Sequence, residues 1–301
     1  PPWIHTTATR LTWLAYLVCI LVPRALARAV SASLAVGRRW WEGAPTELRA
    51  VVLPTHPHPH AAAIMGMDIE SLARAIADRS PQHAHVSASA TLEAYIAAMV
   101  AAAPLNALVA DRFDQARVEA SAIDAALEAG KEVGEYAGVP ITVKECFAVA
   151  GMPNTSGVAA RTGVRVPPGG DAPVVTALKA AGFVIMGVTN VSEACMWFES
   201  HNSVYGTTCN PYDLSRTCGG SSGGEAALVG AGASLGGVTS DVGGSTRMPA
   251  FFNGVFGLKP SPGRVPNLGQ YPLGEGEIQH ILSTGPVARR AADLLPLLRV
   301  M

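Results

Sequence analysis

Two glycine-serine runs bracket one helix and one strand in this chain, and no other feature constrains its fold as tightly. They are Gly219-Gly220-Ser221-Ser222-Gly223-Gly224 and Val242-Gly243-Gly244-Ser245-Thr246-Arg247. Glycine reaches backbone angles closed to other residues, so each run reads as a tight turn between elements. Between the two runs, 224–231 reads as a helix and 235–240 as a short buried strand. Upstream, 139–143 and 183–188 are short, apolar, β-branched runs of the kind found in buried strands, with a helix over 172–181 between them. Strands alternating with helices imply an α/β fold, with a mixed, largely parallel sheet flanked by helices on both faces.

Before this region the pattern is helical. Ile69, Leu72 and Ile76 stand at helical spacing behind Asp68, a predicted N-cap. Leu92, Ile96, Met99 and Ala103 line one face of a helix that Pro104 ends, and Phe113, Ala116, Ile123 and Leu127 mark another that Gly130 closes. These faces read as core and carry no chemistry.

The N-terminus is different. Residues 11–22 form an almost unbroken apolar run followed by Pro23 and Arg24. A bilayer span takes about 20 apolar residues, and extending the run to residue 36 takes in Arg24 and Arg28. A membrane anchor, a signal peptide ending near Ala25-Leu26-Ala27 and a core helix all fit. Arg38, Arg39, Trp40 and Trp41 favour the anchor, because basic and aromatic residues gather at membrane interfaces. The expected division is an anchor or signal-like segment over 1–41, a linker over 42–66 and one domain over 67–301. Within the linker, His56-Pro57-His58-Pro59-His60 has the composition of a metal-binding tract. Its prolines hold it extended, so a linker is the stronger reading.

Composition narrows the partners. Hydrophobic residues make up 49% of the 301, charged ones 15%, and the net charge is −1. That describes a chain with a buried core and no basic surface for nucleic acid. The five cysteines, Cys19, Cys146, Cys195, Cys209 and Cys218, are odd in number, widely spaced and without a CxxC pair. Neither a disulfide framework nor a zinc site is implied.

Three segments hold candidate chemistry. Lys144 closes the apolar run in Gly138-Val139-Pro140-Ile141-Thr142-Val143-Lys144-Glu145. Taken alone, such a lysine is more often a snorkelling surface residue. The run at 219–224 lacks the GK[ST] ending of a phosphate-binding loop and by itself is a weak signal. In Ser240-Asp241-Val242-Gly243-Gly244-Ser245, successive backbone N–H groups around two glycines can form an anion-binding nest. A serine at the end of such a nest is positioned as a nucleophile beside an oxyanion hole. A simple glycine turn explains the same residues.

Taken together and in this order, the segments resemble the amidase-signature family of serine hydrolases. The resemblance runs from Asn210-Pro211-Tyr212 through the two glycine-serine runs to Arg247, with Val143-Lys144-Glu145 at the expected distance upstream. Cys195-Met196-Trp197-Phe198-Glu199-Ser200, Tyr205-Gly206, Glu225, Met248-Pro249-Ala250-Phe251-Phe252-Asn253-Gly254 and Pro260-Ser261-Pro262-Gly263 are similar to its fatty-acid amide hydrolase branch, type 2 above all. The match is strong over 138–272, weaker over 104–129 and absent before 67. Thr246 stands where the family usually has isoleucine, and Val242 where it has isoleucine or threonine.

The resemblance implies a Ser-Ser-Lys triad: Ser245 as nucleophile, Ser221 as bridge behind a cis Gly220–Ser221 peptide, and Lys144 as base. It implies oxyanion donors at the N–H groups of Val242, Gly243, Gly244 and Ser245. Ser222 and an Asp241–Arg247 ion pair are expected to support them. A serine hydroxyl needs such a base, and a lysine accepts a proton only in its neutral form. The implied activity is hydrolysis of fatty-acid amides through an acyl-enzyme, with no cofactor and no metal. The implied partners are a small lipid amide and a membrane, with room for a homodimer. Relatives continue beyond the position of Met301, so the fold is expected to be incomplete at its C-terminus. That expectation keeps a reading of another class open, an inactive fragment acting as a binding protein. Within the family the rival is a glutaminase subunit of a tRNA-dependent amidotransferase, against which the apolar run at 11–22 and the Met196–Ser200 neighbourhood argue.

Overall fold

The computed structural model describes residues 60–78, 80 and 82–301, all within the unit Arg49–Met301. The anchor or signal reading of 1–41, most of the linker 42–66, and His56 and His58 lie outside the described residues. Among the described residues no helix is long and apolar enough to cross a membrane.

Six strands form the main sheet: β1 Leu108–Asp111, β2 Pro140–Lys144, β3 Val184–Thr189, β4 Gly236–Asp241, β5 Phe256–Gly257 and β6 Ser283–Ala288. Their order is β1-β3-β2-β4-β6-β5. The central β3, β2 and β4 run parallel, and the pairings outside them are antiparallel. Every residue of β2, β3 and β4 is buried, which accounts for the apolar runs at 139–143 and 183–188 that marked β2 and β3 in sequence. β1, β5 and β6 lacked that signature. β6 carries Gly285 and Pro286 yet is buried throughout.

The helices are α1 Ala61–Gly66, α2 Ile69–Ala77, α3 Ala88–Ala101, α4 Phe113–Glu128, α5 Pro173–Ala180, α6 Gly223–Gly230, α7 Arg247–Phe252 and α8 Leu294–Val300. Asp68 caps α2 as expected, its Oδ1 accepting the Ser71 N–H at 2.7 Å, and Ile69, Leu72 and Ile76 are fully buried. Pro104 lies in a single 3-10 turn beyond α3, and Gly130 follows α4 at φ 64°. The linker boundary needs correction. Residues 61–66 are helical, with Ala61, Ile64 and Met65 buried in the same core as α2 and α3, because their apolar spacing fits a helix face.

Two adjacent glycines on β4 let helices approach the sheet from both sides. Neighbouring strand residues point to opposite faces. A β-carbon at Gly236 would meet Leu297 of α8, and one at Gly237 would overlap Glu225 of α6. These two helices therefore cover opposite faces of β4.

Glu225 enters the middle of the sheet from α6. It is fully buried, and the hydroxyls of Thr142 on β2 and Thr189 on β3 meet its two oxygens at 2.7 and 2.9 Å. Burial pushes its carboxyl up from 4.5 to about 8. The neutral acid thus ties β2 to β3. The folded chain holds a proton that the unfolded chain releases above its ordinary carboxylate range. This contribution to stability is full at pH values below 4.5 and is lost as pH rises towards about 8. Glu225→Gln keeps an uncharged hydrogen-bonding group there. In thermal melts the wild type should lose ground to this variant between pH 5 and pH 9, and an unchanged difference would count against a neutral Glu225.

Candidate active site

Lys144 is the last residue of β2, and its side chain points to the same face as Thr142. It is fully buried, which overturns the snorkelling reading. Its Nζ donates to Ser221 Oγ at 2.7 Å, Ser240 Oγ at 3.1 Å and the Ser240 carbonyl at 3.4 Å. All three partners are neutral oxygens. Sequence reasoning missed Ser240, whose only signal is its position where β4 delivers a hydroxyl beside the end of β2.

Ser221 lies in the turn that opens α6, and the Gly220–Ser221 peptide is cis. The turn is pinned from several sides. Ser200 Oγ accepts the Gly223 N–H at 2.8 Å, and Ser222 donates its N–H to the Ser245 carbonyl at 3.1 Å and its hydroxyl to the Ser240 carbonyl at 3.4 Å. Ser222 thereby joins the two glycine-serine runs. Ser221, Ser240 and Ser245 line one cavity of about 130 Å³, with Val242, Met196, Leu273, Ile278 and Leu282 as its apolar wall.

The loop after β4 is organised by Asp241, whose side chain is fully buried. Arg247 grips it at two points, Nε to Oδ2 at 2.9 Å and Nη2 to Oδ1 at 3.0 Å. The backbone N–H groups of Gly244, Thr246 and Arg247 also donate to it, at 2.7, 3.1 and 3.3 Å. Burial alone would raise this carboxyl; the guanidinium and the N–H donors outweigh it and hold the group below its ordinary value. The expected nest of four N–H donors is altered in one respect. The Gly244 N–H is turned into Asp241, while those of Val242, Gly243 and Ser245 form no hydrogen bond among the described residues. A short carboxylate that reaches forward to nearby N–H groups is a local habit of aspartate, so this much was readable in Asp241-Val242-Gly243-Gly244.

Glu145, next to Lys144, is a second buried carboxylate. It accepts the N–H groups of Thr155 and Ser156 at 2.5 and 2.7 Å and the hydroxyls of Thr155 and Tyr205 at 2.8 and 3.0 Å. Burial pushes its carboxyl up and these donors pull against that. Through Ser156, whose carbonyl accepts the Ala194 N–H at 2.8 Å, it anchors a wall of the cavity. Among the described residues no cluster of three or more His, Cys, Asp or Glu side chains is arranged to hold a metal ion.

The Asp241–Arg247 pair makes a measurable prediction. Arg247→Ala leaves a buried carboxylate short of two donors and should cost about 1–3 kcal/mol in urea unfolding. Adding Asp241→Asn should recover part of that loss, since the uncompensated charge is gone. Full additivity of the two changes would mean that the pair does not hold the loop.

A family model described as Amidase matches residues 90–301. The chain is 49% identical over 231 residues to fatty-acid amide hydrolase 2-A of Danio rerio, covering 74% of this chain and 43% of the relative. It is 51% identical over 205 residues to fatty-acid amide hydrolase 2 of Homo sapiens, covering 65% and 38%. It is also 42% identical over 217 residues to one component of the glutamyl-tRNA(Gln) amidotransferase of Anaeromyxobacter sp. (strain K), covering 72% and 43%. The chain thus spans less than half the length of these curated relatives. Among solved structures, a fatty acid amide hydrolase superposes with a TM-score of 0.74 at 30% identity over 80% of this chain and 41% of that one. The peptide amidase from Stenotrophomonas maltophilia gives 0.72 at 29% identity, over 81% and 49%. The fold, the order of the lysine and serine motifs and the family match over most of the chain agree: this chain belongs to the amidase-signature family.

Proposed function

We propose that this chain carries the catalytic centre of an amide hydrolase, with Ser245 as nucleophile, Ser221 as proton bridge and Lys144 as base. One observation carries the reading. A fully buried lysine amine lies 2.7 Å from the hydroxyl of a fully buried serine, and that serine shares a cavity with Ser245. Ser245 Oγ attacks the amide carbon while its proton passes to Ser221, which in turn gives its own to Lys144. Charge builds on the carbonyl oxygen, where the N–H groups of Val242, Gly243 and Ser245 are available as donors. Each such donor is worth about 3–4 kcal/mol in a transition state of this kind. Gly244 serves the loop instead, through Asp241. The proton then returns along the same path to the leaving nitrogen, and water repeats the cycle on the acyl-enzyme.

The acyl group we assign is a fatty chain, on a primary amide or an N-acyl ethanolamine. Support comes from the apolar wall of the cavity and from the names of the relatives at 49% and 51% identity. Residues 1–41 are proposed to hold the enzyme at a membrane, where such substrates collect. Their apolar run and the Arg38–Trp41 cluster motivate this.

Two experiments test these readings. A fluorophosphonate probe should acylate Ser245, located by mass spectrometry, and Lys144→Ala should slow amide hydrolysis by about 100-fold or more. An activated ester should suffer less, because its leaving group needs no proton; near-normal amide turnover by Lys144→Ala would end the triad reading. Separately, oleamide in liposomes should be turned over and glutamine not. Removing residues 1–41 should release the protein from the liposome pellet. Preference for glutamine would favour the amidotransferase reading.

A further inference from the structure

One polar side chain in the wall of the cavity has no part in the proposed proton path. Gln270 borders the cavity with Ser221, Ser240 and Ser245, and it is only 6% exposed. Its backbone is clamped to the segment that follows Lys144. The Tyr271 N–H donates to the Cys146 carbonyl at 2.8 Å, and the Ala148 N–H to the Gly269 carbonyl at 2.7 Å. Its side chain is clamped to β6. Nε2 donates to Thr284 Oγ1 at 2.9 Å and to Asn267 Oδ1 at 3.3 Å, and Thr284 stands directly opposite Ser240 in the pairing of β6 with β4.

These partners fix which end of the side-chain amide faces the cavity. The Leu282 carbonyl can only accept, so Asn267 presents Nδ2 to it, at 3.1 Å, and Oδ1 to Thr284 and Gln270. The one hydroxyl proton of Thr284 goes to Asn267 Oδ1 at 2.8 Å, which leaves the Thr284 oxygen as an acceptor for Gln270. Both Nε2 hydrogens of Gln270 are thereby engaged, and Oε1 is turned the other way. Among the described residues Oε1 accepts no hydrogen bond, yet it is not one of the sealed polar side-chain atoms without a partner, which are Thr91 Oγ1, Asn253 Oδ1 and Asp293 Oδ2. It therefore opens onto free space, and the space that Gln270 borders is the cavity.

We infer that Gln270 is a specificity-determining residue. Its Oε1 accepts an N–H from the leaving nitrogen of the substrate, so the cavity takes amides with at least one N–H in preference to esters and tertiary amides of the same acyl group. The role of that nitrogen rests on the proposed hydrolysis; the hydrogen bond itself does not. An N–H that gives up water on entering a closed site needs an acceptor there. A side-chain amide oxygen held from behind by two partners is a fixed one. Holding the N–H also sets the direction of the nitrogen lone pair, which proton return from Ser221 requires. An ester oxygen brings no hydrogen and turns its own lone pairs against Oε1, so the site discriminates by an unmatched polar group.

The test compares N-methylhexanamide with methyl hexanoate, which share one shape and differ in N–H against O. Gln270→Met removes Oε1 at nearly constant volume. Its kcat/KM for the amide should fall about tenfold, as for loss of one hydrogen bond, while that for the ester stays within about twofold. A purely structural Gln270 would lower both together; that result, or an unchanged ratio, overturns the inference. Because Gln270→Met also frees Thr284 and Asn267, a second measurement leaves Gln270 in place. Ser245→Ala protein should bind the amide about fivefold more tightly than the ester in calorimetry. Equal or weaker binding of the amide overturns the inference even if Gln270→Met does not fold. Preferential binding of the amide by a protein that hydrolyses neither compound with Ser245 intact would sink the hydrolase reading and leave the Gln270 contact standing. Hydrolysis of the amide with a ratio indifferent to Gln270→Met would do the reverse.

Discussion

The contact between Lys144 Nζ and Ser221 Oγ is the constraint around which the rest of the structure is arranged. Both groups are fully buried, and each is costly to bury without a partner. Satisfying them requires the end of β2 to meet the turn before α6, although the two are far apart in sequence. The parallel pairing of β2 with β4 brings this about, because it sets the end of β2 beside Ser240 and the glycine-serine loop that follows. Glu225 reinforces the arrangement from the first turn of α6 by reaching Thr142 and Thr189 on the two neighbouring strands.

Three buried acidic side chains surround this centre, and each is occupied by its own partners. Glu225 is met by two threonine hydroxyls, Glu145 by two backbone N–H groups and two hydroxyls, and Asp241 by Arg247 and three backbone N–H groups. With the acids engaged elsewhere, the lysine is left to serine oxygens. The same acids do mechanical work on the cavity. Asp241 shapes the loop that carries Ser245, and Glu145 ties Thr155 and Ser156 to the wall that carries Ala194 and Cys195.

Much of this was legible in the residues. The strands now bounded as Pro140–Lys144 and Val184–Thr189 were visible because strands buried on both faces are largely apolar, and Gly236–Asp241 through its place between a helix and a glycine turn. The helices at Ile69–Ala77, Ala88–Ala101 and Phe113–Glu128 were visible through their spacing and caps. The peripheral strands were not. Leu108–Asp111 is half-exposed and ends in an aspartate, Phe256–Gly257 is two residues long, and Ser283–Ala288 contains the glycine and proline that ordinarily argue against a strand. Helix Ala61–Gly66 was lost because the histidine-proline tract before it made the region read as a linker.

For the site, residue identity and order were determined by the sequence alone: a lysine closing an apolar strand, then two serines in glycine turns, in a pattern specific enough to imply the family. Their meeting was decided only by tertiary structure. Sequence could not tell a buried Lys144 from a snorkelling one, since the burial comes from β3, β4 and α6, none of which is local to it. Nor could it reveal Ser240 as a partner of the lysine or Gly244 as donor to Asp241. The distances that make these residues a site arise from strand pairing and helix packing between segments far apart in the chain, and a linear pattern carries no record of them.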